Sequence, residues 1–78
     1  MAQLDLNNIK RIEKNRNYVH DRVYTTYTIF EASGEKYLQL DTYGRIGRDF
    51  PEKISQSIQV DKETARYLVA LIKDAFEL

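Results

Sequence analysis

The chain has 78 residues, no cysteine, and twelve Lys and Arg against twelve Asp and Glu. One domain of this length hides only about 60–65 % of its unfolded surface, so its core is thin and association with a second copy is a direct way to hide more. These figures exclude a disulfide scaffold and a thiolate metal site, and zero net charge argues against a tight non-specific polyanion binder, whose surface is usually basic.

Residues 1–8 are polar and expected to fray. The opening "MAQLDLNNIK" lacks the apolar stretch of a secretory signal, and no run is long enough to span a membrane, so a cytoplasmic location is expected. No repeat or linker divides the chain, so residues 1–78 read as one domain. "NIKRIEK" (8–14) fits a short first strand or a helical turn, because Ile9 and Ile12 match neither period cleanly. "NRNYVHD" (15–21) is a loop of turn formers. "RVYTTYTIFEA" (22–32) is rich in β-branched and aromatic residues, the composition of a strand. "SGEK" turns the chain back into "KYLQLDTY" (36–43), which alternates strictly between faces. "GRIGRDFPEK" (44–53) is a loop, and "ISQSIQV" (54–60) alternates again, with Ile54, Ile58 and Val60 opposite in direction to Ser55, Ser57 and Gln59. Asp61 is a good N-cap for a helix running to about Phe76.

On that helix Ala65, Leu68, Val69, Ile72, Ala75 and Phe76 share a stripe, which Tyr67, Leu71 and Leu78 widen to an arc of about 200°. One sheet face needs little more than half of such an arc. Two explanations fit the surplus: a twin helix from a second copy, resting on Tyr67, Leu71 and Leu78, or a curled sheet or N-terminal segment of the same chain.

A two-residue turn at Ser33-Gly34 sets Phe30 opposite Tyr37, Thr28 opposite Gln39, Thr26 opposite Asp41 and Tyr24 opposite Tyr43. A turn at Gly34-Glu35 shifts the partners but keeps the faces. Either way Val23, Tyr27, Ile29, Leu38 and Leu40 line one side, expected to lie beneath the helix. Tyr24, Phe30, Tyr37 and Tyr43 stand on the other side among Thr, Gln and Ser.

The residues of a catalyst are missing. His20 is the only histidine and sits in a loop, so neither a metal nor another cofactor is expected. Asp41 beside Tyr43 reads as a cross-strand hydrogen-bond acceptor near Thr26 rather than half of an acid–base pair. "YGRIGRD" lacks the following helix that a phosphate cradle requires. A non-enzymatic role is expected.

The ring-bearing face carries the candidate function. Tyr24, Phe30, Tyr37, Gln39, Tyr43, Ser55 and Ser57, rimmed by Arg45, Arg48, Lys53, Arg16 and Arg22, supply stacking rings, amides and cations, the ingredients of a single-stranded DNA or RNA platform. Residues 10–22 hold five cations against two anions, whereas 61–78 hold three against four. The same face would also suit a protein partner, since tyrosine and arginine dominate interface hot spots. Alternatively the rings are cross-strand pairs that stiffen a thin sheet.

"KYLQLDTYGR", the basic loop, "KISQSIQVDKETARYLVALI" and the preceding aromatic strand together resemble the transcriptional coactivator positive cofactor four and its small bacterial relatives, over about residues 22–76. The resemblance implies an α+β fold: a curved four-stranded antiparallel sheet followed by one C-terminal helix, a homodimer formed through the helices, and single-stranded DNA bound on the strands. By position, it implies that Tyr37, Gln39, Tyr43, Arg45, Arg48, Lys53, Ser55 and Ser57 lie on or beside the DNA-facing surface. The runner-up expectation is a small regulator or inhibitor that docks on a larger protein through the same face.

Overall fold

The computed structural model describes residues 1–45 and 53–78, with Arg45 described by its backbone only. The fold is α+β: strands β1 (Ala2–Gln3), β2 (Val23–Ala32), β3 (Glu35–Arg45) and β4 (Gln56–Asp61) precede a single helix, α1 (Lys62–Phe76). The strands form one open sheet in the order β1-β4-β3-β2.

The β2–β3 hairpin closes as a two-residue turn, with Ser33 at φ 53° and Gly34 at φ 80°. Two successive positive φ values give the chain reversal whose twist matches that of the strands. Glycine takes such a conformation without penalty, whereas the Cβ of Ser33 crowds its following carbonyl and costs about 1–2 kcal/mol, which the paired ladder offsets. Ala32 therefore faces Glu35, and the register sets Phe30 opposite Tyr37, Thr28 opposite Gln39 and Thr26 opposite Asp41. Beyond Thr25–Thr42 the ladder slips, because Val23 pairs with Arg45 and leaves Tyr43 and Gly44 opposite Tyr24. Such a bulge bends the ribbon at its open end.

The first strand lies elsewhere than the sequence suggests. Residues 8–14 form no strand; Ala2 and Gln3 instead pair in parallel with Ile58 and Gln59, so the sheet is mixed rather than wholly antiparallel. Leu4 continues the attachment by donating its N–H to the Gln59 carbonyl at 2.9 Å. Backbone pairing along the free edge of β4, which is blind to side-chain type, holds a segment whose polar composition suggested fraying. A 3-10 turn at Leu6–Asn8 follows, capped by Asp5, whose carboxylate accepts from the Asn7 amide at 3.0 Å. Residues 10–22 are exposed throughout and contain no regular element.

One face of the sheet carries rows of Ile29, Leu38 and Val60, then Tyr27, Leu40 and Ile58, as alternation requires. The helix does not cover them. It grows from β4 without a loop, since Asp61 both ends the strand and caps the helix, and it packs chiefly against β4 and the 3-10 turn. Ile29 stays 61 % exposed, and no hydrophobic side chain is buried among the described residues. The sequence-based expectation that Val23, Tyr27, Ile29, Leu38 and Leu40 lie beneath the chain's own helix is thus corrected. The rotation of α1 about its axis supplies the reason. Its inward side is Thr64, 1 % exposed, with Leu68 half-buried, while Val69, Ile72 and Phe76 face outward.

The accessible surface is 7536 Å². A compact monomer of 9.2 kDa would expose only about 4,900 Å². The radius of gyration, 14.8 Å, likewise exceeds the roughly 11.5 Å expected of 78 packed residues. No helix among the described residues is long and apolar enough to cross a membrane.

The Asp61 cap gives a first prediction. Its side chain accepts the Thr64 amide hydrogen at 2.8 Å, and that bond holds the carboxyl below its ordinary value of 3.8. A depressed folded-state value means the cap stabilises the helix fully above pH 4 and loses that effect as pH falls through the folded value. Asp61→Ala should lower the thermal midpoint at pH 7, and its difference from the wild type should shrink as pH falls below the ordinary carboxyl value of 3.8, as followed by circular dichroism.

Candidate nucleic-acid interface

The second face of the sheet is polar and aromatic. Alternation and the observed register bring Tyr24, Thr26, Thr28 and Phe30 from β2 beside Tyr37, Gln39, Asp41 and Tyr43 from β3, and Ser57 and Gln59 from β4. Gln3 joins them, because a residue directly aligned in a parallel pair shares the face of its partner, here Gln59.

Two ring pairs stand on this face. Phe30 and Tyr37 stack with centroids 5.5 Å apart and planes 25° from parallel. Tyr24 and Tyr43 lie 5.4 Å apart at 50°. The Tyr43 hydroxyl reaches back to share a hydrogen bond with Thr26 Oγ1 at 3.1 Å. Tyr24 is well exposed, while Phe30, Tyr37 and Tyr43 are partly covered by one another and by the strand neighbours.

Between the ring pairs runs a connected polar row. Asp41 is 6 % exposed and Ser57 7 %. The Ser57 hydroxyl donates to Asp41 Oδ1 at 2.5 Å, and Gln39 Nε2 donates to Oδ1 and Oδ2 at 2.9 and 3.2 Å. Gln59 Nε2 then donates to Gln39 Oε1 at 2.7 Å. A carboxylate removed from water needs such donors, and hydrogen bonds to a charged acceptor are the stronger kind. Asp41 is a cross-strand acceptor as its position suggested, although its partners come from β4 and from its own strand, while Thr26 turns to Tyr43.

The structure therefore brings together Tyr24, Phe30, Tyr37, Gln39, Tyr43 and Ser57. Ser55 is exposed just before β4, where its amide donates to the Thr42 carbonyl at 2.7 Å. Lys53 is exposed two residues earlier, Arg22 is exposed immediately before β2, and Arg16 is exposed in the irregular segment between the 3-10 turn and β2. Arg45 ends β3 opposite Val23; its side chain and Arg48 fall outside the described residues. His20 lies in the same irregular segment with its ring edge-on to Tyr18, 6.0 Å between centroids. Among the described residues no three His, Cys, Asp or Glu side chains converge as metal ligands would.

Sequence reasoning missed Gln3 as a member of this face, and it set Asp41, Thr26 and Gln59 there without naming them among the binding residues. Alternation within "ISQSIQV" already grouped Gln59 with Ser57, but their placement against Asp41 and Gln39 depends on the β3–β4 register across a long loop, which no local signal sets.

On the opposite side, Tyr67 and Leu71 line a groove with Ile9, Lys10 and Arg11 of the same chain, and Leu78 is exposed. The N-terminal segment thus flanks one side of the helix arc. The stripe of Val69, Ile72 and Phe76 stays exposed, and a second groove of about 280 Å³ lies between Ala65 of the helix and Ile29, Leu38 and Val60 of the sheet. Comparison with family models, with curated proteins and with solved structures returns no match to this chain.

Proposed function

We propose that this domain binds single-stranded DNA or RNA on the ring-and-amide face of its sheet, acting as a homodimer in transcription or replication. The observation that carries the reading is the pair of accessible ring stacks, Phe30–Tyr37 and Tyr24–Tyr43, set on one face around a hydrogen-bonded amide and hydroxyl centre. Unpaired bases stack on such rings, and each base so held contributes about 1–3 kcal/mol. Arg16, Arg22, Arg45, Arg48 and Lys53 provide phosphate contacts from the rim. The order of four strands and one helix is the one implied by the resemblance to positive cofactor four and supports the reading, although β1 is short and parallel here.

Surface area supports the homodimer. The chain exposes about 2,600 Å² more than a compact monomer of its mass. A stable interface hides about 800 Å² per partner. A second copy that covers the Val69, Ile72 and Phe76 stripe together with the Ile29, Leu40 and Ile58 sheet face would hide about a third of that excess, the exposed segment 10–22 accounting for more of it, and leaves the ring face outward. This draws the interface nearer the centre of the helix stripe than Tyr67 and Leu71, while Leu78 can join it at the helix end.

Fluorescence anisotropy with a labelled single-stranded oligonucleotide tests the proposal. With three or four phosphate contacts, raising salt from about 50 to about 200 mM should weaken binding about 20- to 50-fold. No rise in anisotropy at micromolar protein and low salt would overturn the reading. The runner-up, a protein partner on the same tyrosines, would then be favoured, because a tyrosine-centred protein interface depends little on salt.

A further inference from the structure

Resting on the nucleic-acid reading above, we propose that the groove between β1 and β4 is a hydrogen-bonding subsite for the edge of an unpaired nucleobase, its polarity set by Asp41 on the neighbouring strand. A carboxylate only accepts hydrogen bonds. Gln39 must therefore turn its nitrogen toward Asp41, as observed, and its oxygen toward β4. There Gln59 donates its nitrogen to that oxygen, which directs Gln59 Oε1 away from β3. On a bare surface each amide could flip freely. Here a flip of Gln39 would set its oxygen against the carboxylate, and a flip of Gln59 would set oxygen against oxygen, so the row holds one orientation.

The end of the row opens on a groove of about 270 Å³ lined by Met1, Ala2, Gln3, Gln39, Ser57 and Gln59. Gln59 presents there an acceptor oxygen and the second N–H of its amide. Gln3, aligned with it in the β1–β4 pairing, brings another carboxamide to the same opening. A planar donor–acceptor pair is what a carboxamide uses to read a base edge bidentately, and unpaired bases expose such edges. A phosphate offers only acceptors and would meet an oxygen backed by a buried carboxylate, so the subsite selects the base over the backbone. The groove lies two strand spacings, about 10 Å, from the β2–β3 ring pairs on the same face. A single strand crossing the sheet can stack on the rings and reach it.

Anisotropy titrations with a mixed-sequence single strand, and with an abasic deoxyribose-phosphate strand of equal length, separate base contacts from backbone contacts, and comparison of Gln59 and Tyr37 variants separates this subsite from the rings. Gln59→Leu should bind the mixed strand about five- to tenfold more weakly, the loss of one or two neutral hydrogen bonds, and bind the abasic strand as the wild type does. Asp41→Asn should show the same selective loss, because asparagine can donate and allows the row to reverse. In the wild type, the Gln59 side-chain amide signals in a ¹H–¹⁵N spectrum should shift on titration with the mixed strand, a readout independent of how the variants fold. The subsite is overturned, and the platform kept, if Gln59→Leu binds the mixed strand normally while Tyr37→Ala does not, or if the Gln59 signals stay still at saturation. A wild type that binds neither strand overturns both.

Discussion

An aspartate at Ile72 should abolish the folded state, leaving neither a cooperative thermal transition nor the circular-dichroism signal of the helix. This expectation rests on the absence of any buried hydrophobic side chain among the described residues. Hydrophobic burial is the main favourable term in folding, so a chain whose described apolar side chains are at best half-buried has little to offset its conformational entropy. In the proposed homodimer a second copy covers the apolar stripe of α1 and the apolar sheet face. Ile72 lies at the middle of that stripe, and a carboxylate buried there without a partner costs several kcal/mol in each copy. The control is Val19→Asp. Val19 is 99 % exposed in the irregular segment before β2 and lies outside the proposed interface, so the same change should leave stability intact. The wild type should sediment at twice 9.2 kDa and melt at a midpoint that rises with concentration, as mass action demands of an obligate dimer. A 9.2 kDa species with a concentration-independent midpoint would refute the dimer.

The second large effect concerns the ring face. Tyr37→Ala removes half of the stacked Phe30–Tyr37 pair. It should weaken single-strand binding by about 1–3 kcal/mol, or about 5- to 150-fold. The fold itself should lose only about 0.5–1.5 kcal/mol, the worth of one aromatic cross-strand pair. Tyr37→Phe keeps the stacking surface and should bind within about twofold of the wild type. Urea unfolding alongside anisotropy decides between the roles. If Tyr37→Ala melts early but binds normally below its transition, the pair serves only to stiffen the sheet.

Much of this architecture was legible in local sequence. The alternation of "KYLQLDTY" placed Tyr37, Gln39, Asp41 and Tyr43 on one face because strand side chains have a period of two. "SGEK" marked the hairpin and the face of each ring, and of the two turns it allowed the structure takes Ser33-Gly34, which pairs Phe30 with Tyr37. Asp61 announced the helix start, and the helix ends at Phe76 as expected. Each of these signals acts over a few residues, within reach of the chain's own stereochemistry.

Three features were decided only by tertiary structure. The outer strand formed at Ala2–Gln3 because β4 had an unpaired edge, and backbone amides pair with whatever backbone arrives. The Asp41–Gln39–Gln59 row depended on a register set between strands that a long loop separates. The helix stripe was apolar as read, but nothing in its periodicity states which way it turns: β4 runs straight into α1, and that junction aims Val69, Ile72 and Phe76 away from the chain's own sheet. Periodicity determines which side chains share a face. What covers that face depends on the rigid geometry linking distant elements, and here that geometry leaves it open to a second molecule.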